Sequence, residues 1–402
     1  YSKSLFCIMS KINHAINFEL AVSNSIASKP SHKFAHKYTE QMAVSQFTDL
    51  EMAKKHAAWR RWKAVENMDK YLIEFESNLI KTGAKVLWAQ NQDEAQKELA
   101  SLLKKNYATE AYFEPSPNSQ MSFIDQALKQ QDVKQVSFSD YNAITSTVIA
   151  EANFIIADPG AIAFVSNSTN LQQAFSKARC VIAIATVSSI LTHINDINLF
   201  VPLTASYTYL KNNTPLLSLL FGQRKPEESE GLPELNVLLI DDCSTVLNDT
   251  KARQSIWCIN CQACANSCPV ASTIGKETTL YQNPQQAIVN PIKHGFDSHG
   301  YLNHTTTLCG SCTEVCPVKI NINQLFIHNR AKHIQQNGAS QKEKWFYLLW
   351  KKTMLNRNKY QIGKFTTYSW VMESVYAKTW NKSEKPIKPE LTFQQMWINK
   401  FQ

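Results

Sequence analysis

At 402 residues the chain is too long for one average domain, and 44% hydrophobic with 19% charged residues is ordinary globular composition. The longest apolar run, residues 181–191, is broken by Thr186, Ser188 and Ser189 and is too short to span a bilayer. The formal net charge of +9 is localised, because residues 331–402 hold 13 Lys+Arg against 4 Asp+Glu while the first 330 residues balance. Residues 4–8 fall far short of a secretory h-region, and Met9 is a candidate start, so a cytoplasmic protein is expected.

The first ~65 residues read as polar and helical, with Thr48 and Glu51 spaced as a capping box. Met68, Leu72, Phe75 and Leu79 recur at helical spacing, and Gly83 is placed to end that helix. Strands are predicted at 86–88, 111–113, 136–138, 180–185 and 237–240, with helices at 94–104 and 188–194. Residues 154–157 and 162–165 flank Asp158-Pro159-Gly160 as a hairpin. This alternation predicts an α/β domain on a largely parallel sheet. Beyond Asp242 the pattern changes, and a domain boundary is expected near Asp249. Past Arg330 the chain reads as helical, aromatic and basic, with Trp345, Leu348 and Leu349 ahead of Lys351, Lys352, Arg357 and Lys359. That tail suits either a docking face for an acidic partner or membrane surface, or packing on the rest of the protein.

Seven of the ten cysteines lie between residues 258 and 316, whereas Cys7, Cys180 and Cys243 are scattered. Cytoplasmic thiols stay reduced, so the clustering argues for metal rather than disulfides. Cys258, Cys261, Cys264 and Cys268, followed by Pro269, have the C-x2-C-x2-C-x3-C-P spacing of a bacterial ferredoxin run. Cys309, Cys312 and Cys316, followed by Pro317, repeat its ending, with Thr306 where a first cysteine would stand. In two-cluster proteins the last cysteine of such a run serves the other cluster. Crossed ligation then assigns Cys258, Cys261, Cys264 and Cys316 to one [4Fe–4S] cluster, and Cys268, Cys309 and Cys312 to a second. The second is expected as [3Fe–4S], or as [4Fe–4S] with a non-cysteine ligand, for which His299 and His304 are candidates. Paired C-x2-C groups also build zinc sites, but seven thiols in a four-plus-three pattern suit one tetrahedral ion badly.

The order of these parts resembles the lactate utilization iron–sulfur protein B family. The match is carried by residues 67–76, Gly83-Ala-Lys-Val-Leu-Trp-Ala89, Ile155-Ile-Ala-Asp-Pro-Gly-Ala161, Leu238-Leu-Ile-Asp-Asp242, 257–270 and 308–320, and covers about 47–330. The resemblance implies a helical extension at 1–66 and a lactate-utilization α/β domain of the sugar-isomerase/CoA-transferase-like type at 67–249. An α-helical ferredoxin domain at 250–332 and a basic aromatic tail at 333–402 follow. It also implies electron transfer in a complex oxidising L-lactate to pyruvate without nicotinamide, beside two partner proteins. Asp158-Pro159-Gly160 replaces an acidic–Thr–Gly turn, Ser166-Asn-Ser-Thr-Asn170 a more charged stretch, and residues 115–121 a Lys/Ser- and Glu-rich one. These departures argue against a small-molecule site there, where Asp158, Gly160 and Arg179 are the residues to test.

No nucleophile motif, phosphate loop or dinucleotide fingerprint is evident, and ten glycines leave little room for one. The sequence thus predicts an iron–sulfur electron carrier whose catalytic residues it does not identify. The alternatives are a subunit of another dehydrogenase or of a quinone- or disulfide-linked reductase, or a redox-sensing scaffold. Expected partners are other subunits of the complex, and an electron donor, acceptor protein or membrane-associated acceptor met through the tail. Nucleic acid is not expected. The protein would be cytoplasmic or peripheral at the inner face of the membrane.

Overall fold

Helical and extended segments alternate along residues 67–249, and they fold as one parallel sheet with a second, smaller sheet beside it. The computed structural model describes residues 47–114, 121–138, 147–208, 215–225, 227–228, 231–274, 281, 283–337, 341–356, 396–397 and 399–400. Cys7, most of the predicted helical extension, and Arg357 and Lys359 lie outside these residues. Two compact units are present, Tyr1–Gln336 and Asn337–Gln402. Among the described residues no helix is long and apolar enough to cross a membrane.

Helix α1 (Leu50–Glu66) leads in, and its cap is Asp49, which accepts from Met52 N, rather than the Thr48–Glu51 box. Asp49 wins because its short carboxylate reaches the free amides of the first turn. Helix α2 (Met68–Lys81) follows, with Phe75 and Leu79 buried, and Gly83 just beyond it sits at φ +85°, a left-handed position that glycine tolerates. Next come β1 (Lys85–Ala89), α3 (Gln92–Lys105), β2 (Glu110–Glu114), α4 (Phe123–Gln130), β3 (Lys134–Val136) and β4 (Thr147–Glu151). The predicted hairpin is β5 (Phe154–Asp158) with β6 (Ala161–Ser166), paired antiparallel. Helix α5 (Asn170–Lys177) and strand β7 (Cys180–Thr186) follow. The stretch expected to be helical at 188–194 is instead a 3-10 turn and strand β8 (Ile190–His193). Pairing with β5 outweighs its weak helical spacing. Helix α6 (Ile197–Thr208), β9 (Leu216–Leu220) and β10 (Glu234–Ile240) complete the α/β part.

The larger sheet has the order β1-β10-β7-β4-β2-β3, all pairs parallel. Both of its faces are covered, so its inner strands are near-continuous apolar runs. One face sets Ile149, Ile182, Ile184 and Leu238 against Leu99 and Leu103 of α3 and Ile124 of α4. The other sets Val148, Val181, Ala183 and Val237 in one core with Phe75 and Leu79 of α2. The smaller sheet, β8-β5-β6-β9, divides its residues in the same alternating way. Ile155, Ile162 and Phe164 join the core of the larger sheet, while Phe154, Ile156, Ala163 and Val165 join a core that includes Cys261, Cys268, Cys312 and Cys316. The hairpin is therefore the seat on which the cysteine segment rests.

That segment is built from short helices. They are α7 (Ser244–Leu247), α8 (Ala263–Asn266), α9 (Pro269–Ile274), α10 (Pro284–His294), α11 (Phe296–His299), α12 (Ser311–Val315) and α13 (Ile322–Asn337). In the second unit, α14 (Gln341–Met354) leaves Trp345, Tyr347, Leu348, Leu349 and Trp350 exposed.

Candidate metal centre

The two cysteine runs share a backbone device. Gln262 (φ +62°) and Gly310 (φ +92°) each follow the first cysteine of a C-x2-C pair in a left-handed conformation, and each caps a short helix, α8 or α12. The left-handed residue turns the chain so that the next thiol faces inward from the helix start. Gln262 bears a side chain at this φ, a cost glycine does not meet at the second copy. Helices α8 and α12 pack on one another, bringing the runs together.

Within the packed runs the thiols lie in one another's fields. Cys261 and Cys264 each feel the charge of Cys258 and Cys316, whereas Cys312 feels Cys268 and Cys309. Burial first, and then these like charges, push the Cys261 and Cys264 thiols well up. The same causes push Cys312 up to about 12, and burial raises Cys316 to about 11. Exposed Cys309 is the exception, since hydrogen bonding around Ser311 outweighs its slight burial and lowers it. Buried thiols that repel one another ionise only against a compensating cation, and a coordinated thiol is deprotonated outright. Yet among the described residues no three His, Cys, Asp or Glu side chains are gathered closely enough to hold one metal ion. A tetrahedral zinc draws its sulfurs to roughly 3.8 Å of one another, from Zn–S distances of about 2.3 Å. Seven thiols divided between two runs exceed the four that one tetrahedral zinc takes, and an all-thiolate set in ferredoxin spacing suits iron–sulfur clusters.

Amide donors support the sulfurs. Asn260 N donates to Cys258 Sγ at 3.4 Å, and Ile320 N to Cys316 Sγ at 3.4 Å. At the second group the buried Tyr281 hydroxyl is 3.5 Å from Cys268 Sγ and also lies within the fields of Cys264 and Cys312. Burial, then the Cys268 charge, hold this phenol far above its usual range, so it stays protonated and is able to donate to a Cys268 thiolate. Neither expected histidine has a described contact with a thiol. His299 packs on His294 and Tyr301 and bonds Ser298, and His304 rests on His333. Cys180 and Cys243 are buried in the α/β cores, away from both groups.

Helix α1 brings cations to the first group. Arg61 is fully buried and donates to the carbonyls of Trp257 (3.1 Å), Ile256 (2.9 Å), Ile190 (2.6 Å) and Ser188. One guanidinium thus ties the β7–β8 turn to the chain entering Cys258. Burial draws it down to about 10, opposed mainly by the Cys258 and Asp242 charges, so it stays protonated at neutral pH. Lys54, two turns earlier on the same face, is also buried and acts on Cys316. Below the cysteines Asp249 accepts from His328 (3.0 Å) and Lys332 (2.9 Å), docking α13.

The residues singled out around Pro159 do not converge. Asp158 is exposed, 3.4 Å from His193. Gly160, at φ +85°, packs so closely on Asn78 that an added Cβ would meet it at 2.6 Å, and Arg179 is exposed. The polar concavity lies elsewhere, lined by Arg61, Glu151, Ser188, Thr204, Cys258 and Asn260 among others. Nothing local in the sequence marks these residues as a group.

The LUD domain family matches residues 72–240 and the 4Fe-4S dicluster domain family matches residues 254–320. The chain is 22% identical over 359 residues to lactate utilization protein B of Bacillus licheniformis, covering 72% of this chain and 75% of that protein. It is 23% identical over 358 residues to lactate utilization protein B of Bacillus thuringiensis, covering 72% and 76%. Among solved structures, a DUF162 family protein from Deinococcus radiodurans is similar at 14% identity and a TM-score of 0.31, over 43% of this chain and 98% of that one.

Proposed function

The chain is a divergent relative of the lactate utilization B proteins, with a LUD domain followed by a 4Fe-4S dicluster domain, and we propose that it is an iron–sulfur electron carrier in lactate utilization. The observation that supports this reading is the packing of α8 on α12, which brings the two ferredoxin-spaced cysteine runs together, with Cys261, Cys268, Cys312 and Cys316 in one buried core. Cys258, Cys261, Cys264 and Cys316 would hold a [4Fe–4S] cluster. Cys268, Cys309 and Cys312 would hold a second cluster, [3Fe–4S] or [4Fe–4S] with a non-cysteine ligand. Such clusters supply reversible one-electron transfer. The chain's own residues set their surroundings: Lys54 and Arg61 place positive charge beside the first group, amides donate to its sulfurs, and Tyr281 donates between the groups.

The finer reading is a subunit of a complex oxidising L-lactate to pyruvate without nicotinamide. It has a sugar-isomerase/CoA-transferase-like α/β domain at 67–249, a ferredoxin domain at 250–332 and a docking tail at 333–402. The exposed aromatic and basic surface of α14 supports an electron partner there, a protein or a peripheral membrane acceptor. EPR with iron and sulfide analysis on anaerobically purified chain tests the reading. About seven or eight irons per chain and two distinct signals that cycle reversibly are expected. Zinc in place of iron, or clusters that do not cycle, would refute it.

A further inference from the structure

Of the seven clustered cysteines Cys309 alone is exposed, and the chain around it is built to bring it to the surface. Leu308 takes a left-handed conformation (φ +53°), which a side chain of its size adopts only at a cost, and its amide donates to the Thr306 hydroxyl at 3.1 Å. The turn lets Leu308 pack on the core that holds the buried thiols, while the next residue, Cys309, faces outward. Cys309 and Cys312 come to the second cluster whether or not the last cysteines of the two runs cross. That cluster thus has a ligand at the surface, whereas the thiols assigned to the first are buried or half-buried.

Helix α13 runs beside this loop and is pinned to it twice. At the start of α13, Asn323 Oδ1 is 3.9 Å from Cys312 Sγ, and a Cβ added to Gly310 would lie 3.5 Å from Asn323 Nδ2. Seven residues on, Arg330 donates to the carbonyls of Asn303 (2.7 Å) and Thr306 (3.3 Å). The loop from Thr306 to Gly310 therefore follows about two turns of helix, roughly 10.5 Å. Ile327 lies one turn after Asn323 and three residues before Arg330, so it shares that side of α13, next to the loop that carries Cys309. It is 49% exposed, and Ile334, two turns further along the same side, is 53% exposed.

With Gln324, Ala331 and Gln335 these isoleucines form an exposed stripe that has no charged side chain. Both cations of this part of α13 are engaged elsewhere, Arg330 with the two carbonyls and Lys332 with Asp249. From Thr307 to Val315 the one charged side chain is Glu314. A single exposed isoleucine means little, but here two of them, an uncharged strip roughly 16 Å long and a surface cluster ligand are neighbours. Redox encounters are among the smallest specific interfaces, below roughly 1,200 Å² in total, and interface centres are depleted of charge. A charged partner face would lose its hydration against this strip and meet no opposite charge there. The occupant that fits is a face as uncharged as the stripe itself.

We propose that Cys309 and the Ile327–Ile334 stripe of α13 form the electron port of the second cluster, fitted to a one-electron redox protein with an uncharged contact face. In each encounter one electron passes between the cluster and the partner's centre, one being oxidised as the other is reduced, and no bond is made or broken. The port rests on the electron-carrier reading above. It is distinct from the basic tail, whose encounters would weaken with salt.

The test uses the full, cluster-loaded chain, with iron content and reversible cycling recorded first. An uncharged gadolinium chelate in solution should speed the relaxation of the second cluster's EPR signal and leave the first cluster's unchanged. Stopped-flow oxidation of the reduced chain by azurin, a blue-copper protein with an uncharged face at its copper site, supplies the docking probe. Its rate should stay flat across a salt series and fall about tenfold in Ile327→Asp, where a charge must be desolvated on contact. Ile73→Asp, at an exposed position on α2, should leave the rate unchanged. If Ile327→Asp lowers iron content, Ile334→Asp is read instead and should slow the reaction several-fold. Equal action of the chelate on both clusters, or unaltered rates in both isoleucine variants, overturns the port. A rate that falls steeply with salt assigns the encounter to the basic tail, and a dimer in light scattering that Ile327→Asp dissolves assigns the stripe to a second copy; either result also overturns it. These outcomes leave the electron-carrier reading standing, whereas clusters that do not cycle remove that reading and the port with it.

Discussion

Replacing Tyr281 with Phe should lower the reduction potential of the cluster assigned to Cys268, Cys309 and Cys312. The hydroxyl stands 3.5 Å from Cys268 Sγ, is buried, and is kept protonated by its surroundings. A hydrogen bond to a charged acceptor is worth about 1.5–3 kcal/mol. It is present in both oxidation states, so only its strengthening on reduction moves the potential. If roughly a third of the bond is differential, the effect is about 0.5–1 kcal/mol. For one electron, where a tenfold change is 59 mV, that is a fall of about 20–40 mV. The first cluster should move less, because the hydrogen bond is made to Cys268, while Tyr281 meets Cys264 through its field alone. The assay is a redox titration followed by EPR, with iron content measured to show that both clusters are retained. An unchanged second potential, a rise, or a shift confined to the first cluster would refute the donor role.

Cys316→Ser should damage the cluster of Cys258, Cys261 and Cys264, and Cys268→Ser the other; loss of each residue's sequence-neighbour cluster in EPR would overturn the crossed assignment. Arg61→Met should destabilise the chain by about 3–5 kcal/mol, since four carbonyls lose a charged donor while the cost of burying the charge is relieved. Arg61→Lys should rescue little of it, because one ammonium does not span that fork; a loss below ~1 kcal/mol in urea unfolding would remove the cross-linking role. Burial raises Asp249, but hydrogen bonds from Lys332 and His328 more than outweigh this and hold it below its ordinary 3.8. Its stabilising contribution is therefore present above pH ~4 and lost as pH falls further, so the gap between wild type and Asp249→Asn should close below pH 4; a constant gap would count against it. Reversing Lys351 and Lys352 should slow reduction by an acidic partner at low salt with iron content unchanged, and identical rates across a salt series would dismiss the docking tail.

The iron–sulfur segment was legible in the sequence because its chemistry is confined to one stretch. Spacing alone puts Cys258, Cys261 and Cys264 on successive turns, and the repeated Cys-Pro ending singles out Cys268 and Cys316 as the pair proposed to cross. The parallel sheet was legible for a related reason: strands buried on both faces, such as Cys180–Thr186, are continuous apolar runs. What failed was local choice between weak signals. Residues 188–194 carry helical spacing, yet their partner is β5, some 35 positions earlier, and pairing decided the outcome. Strands Thr147–Glu151 and Leu216–Leu220 were not anticipated, although the first sits near the centre of the larger sheet between β7 and β2.

Helix α1 shows the same limit from the functional side. Its sequence reads as polar and surface-like, and a buried lysine and arginine seven positions apart have no local signature. Two turns of helix separate them by roughly 10.5 Å along one face. That is enough for Arg61 to reach the chain entering Cys258 while Lys54 acts on Cys316, the ligand proposed to come from the second run. A four-thiolate cluster gains negative charge on reduction, so two buried cations favour its reduced form and oppose the effect of burial. Among the described residues the second group has a neutral phenol in that role, and one of its proposed ligands, Cys309, is exposed. The two clusters would therefore differ in potential for reasons held mostly outside the cysteine segment. An intact helix α1 would then be needed to order electron flow between them, even though it performs no chemistry of its own.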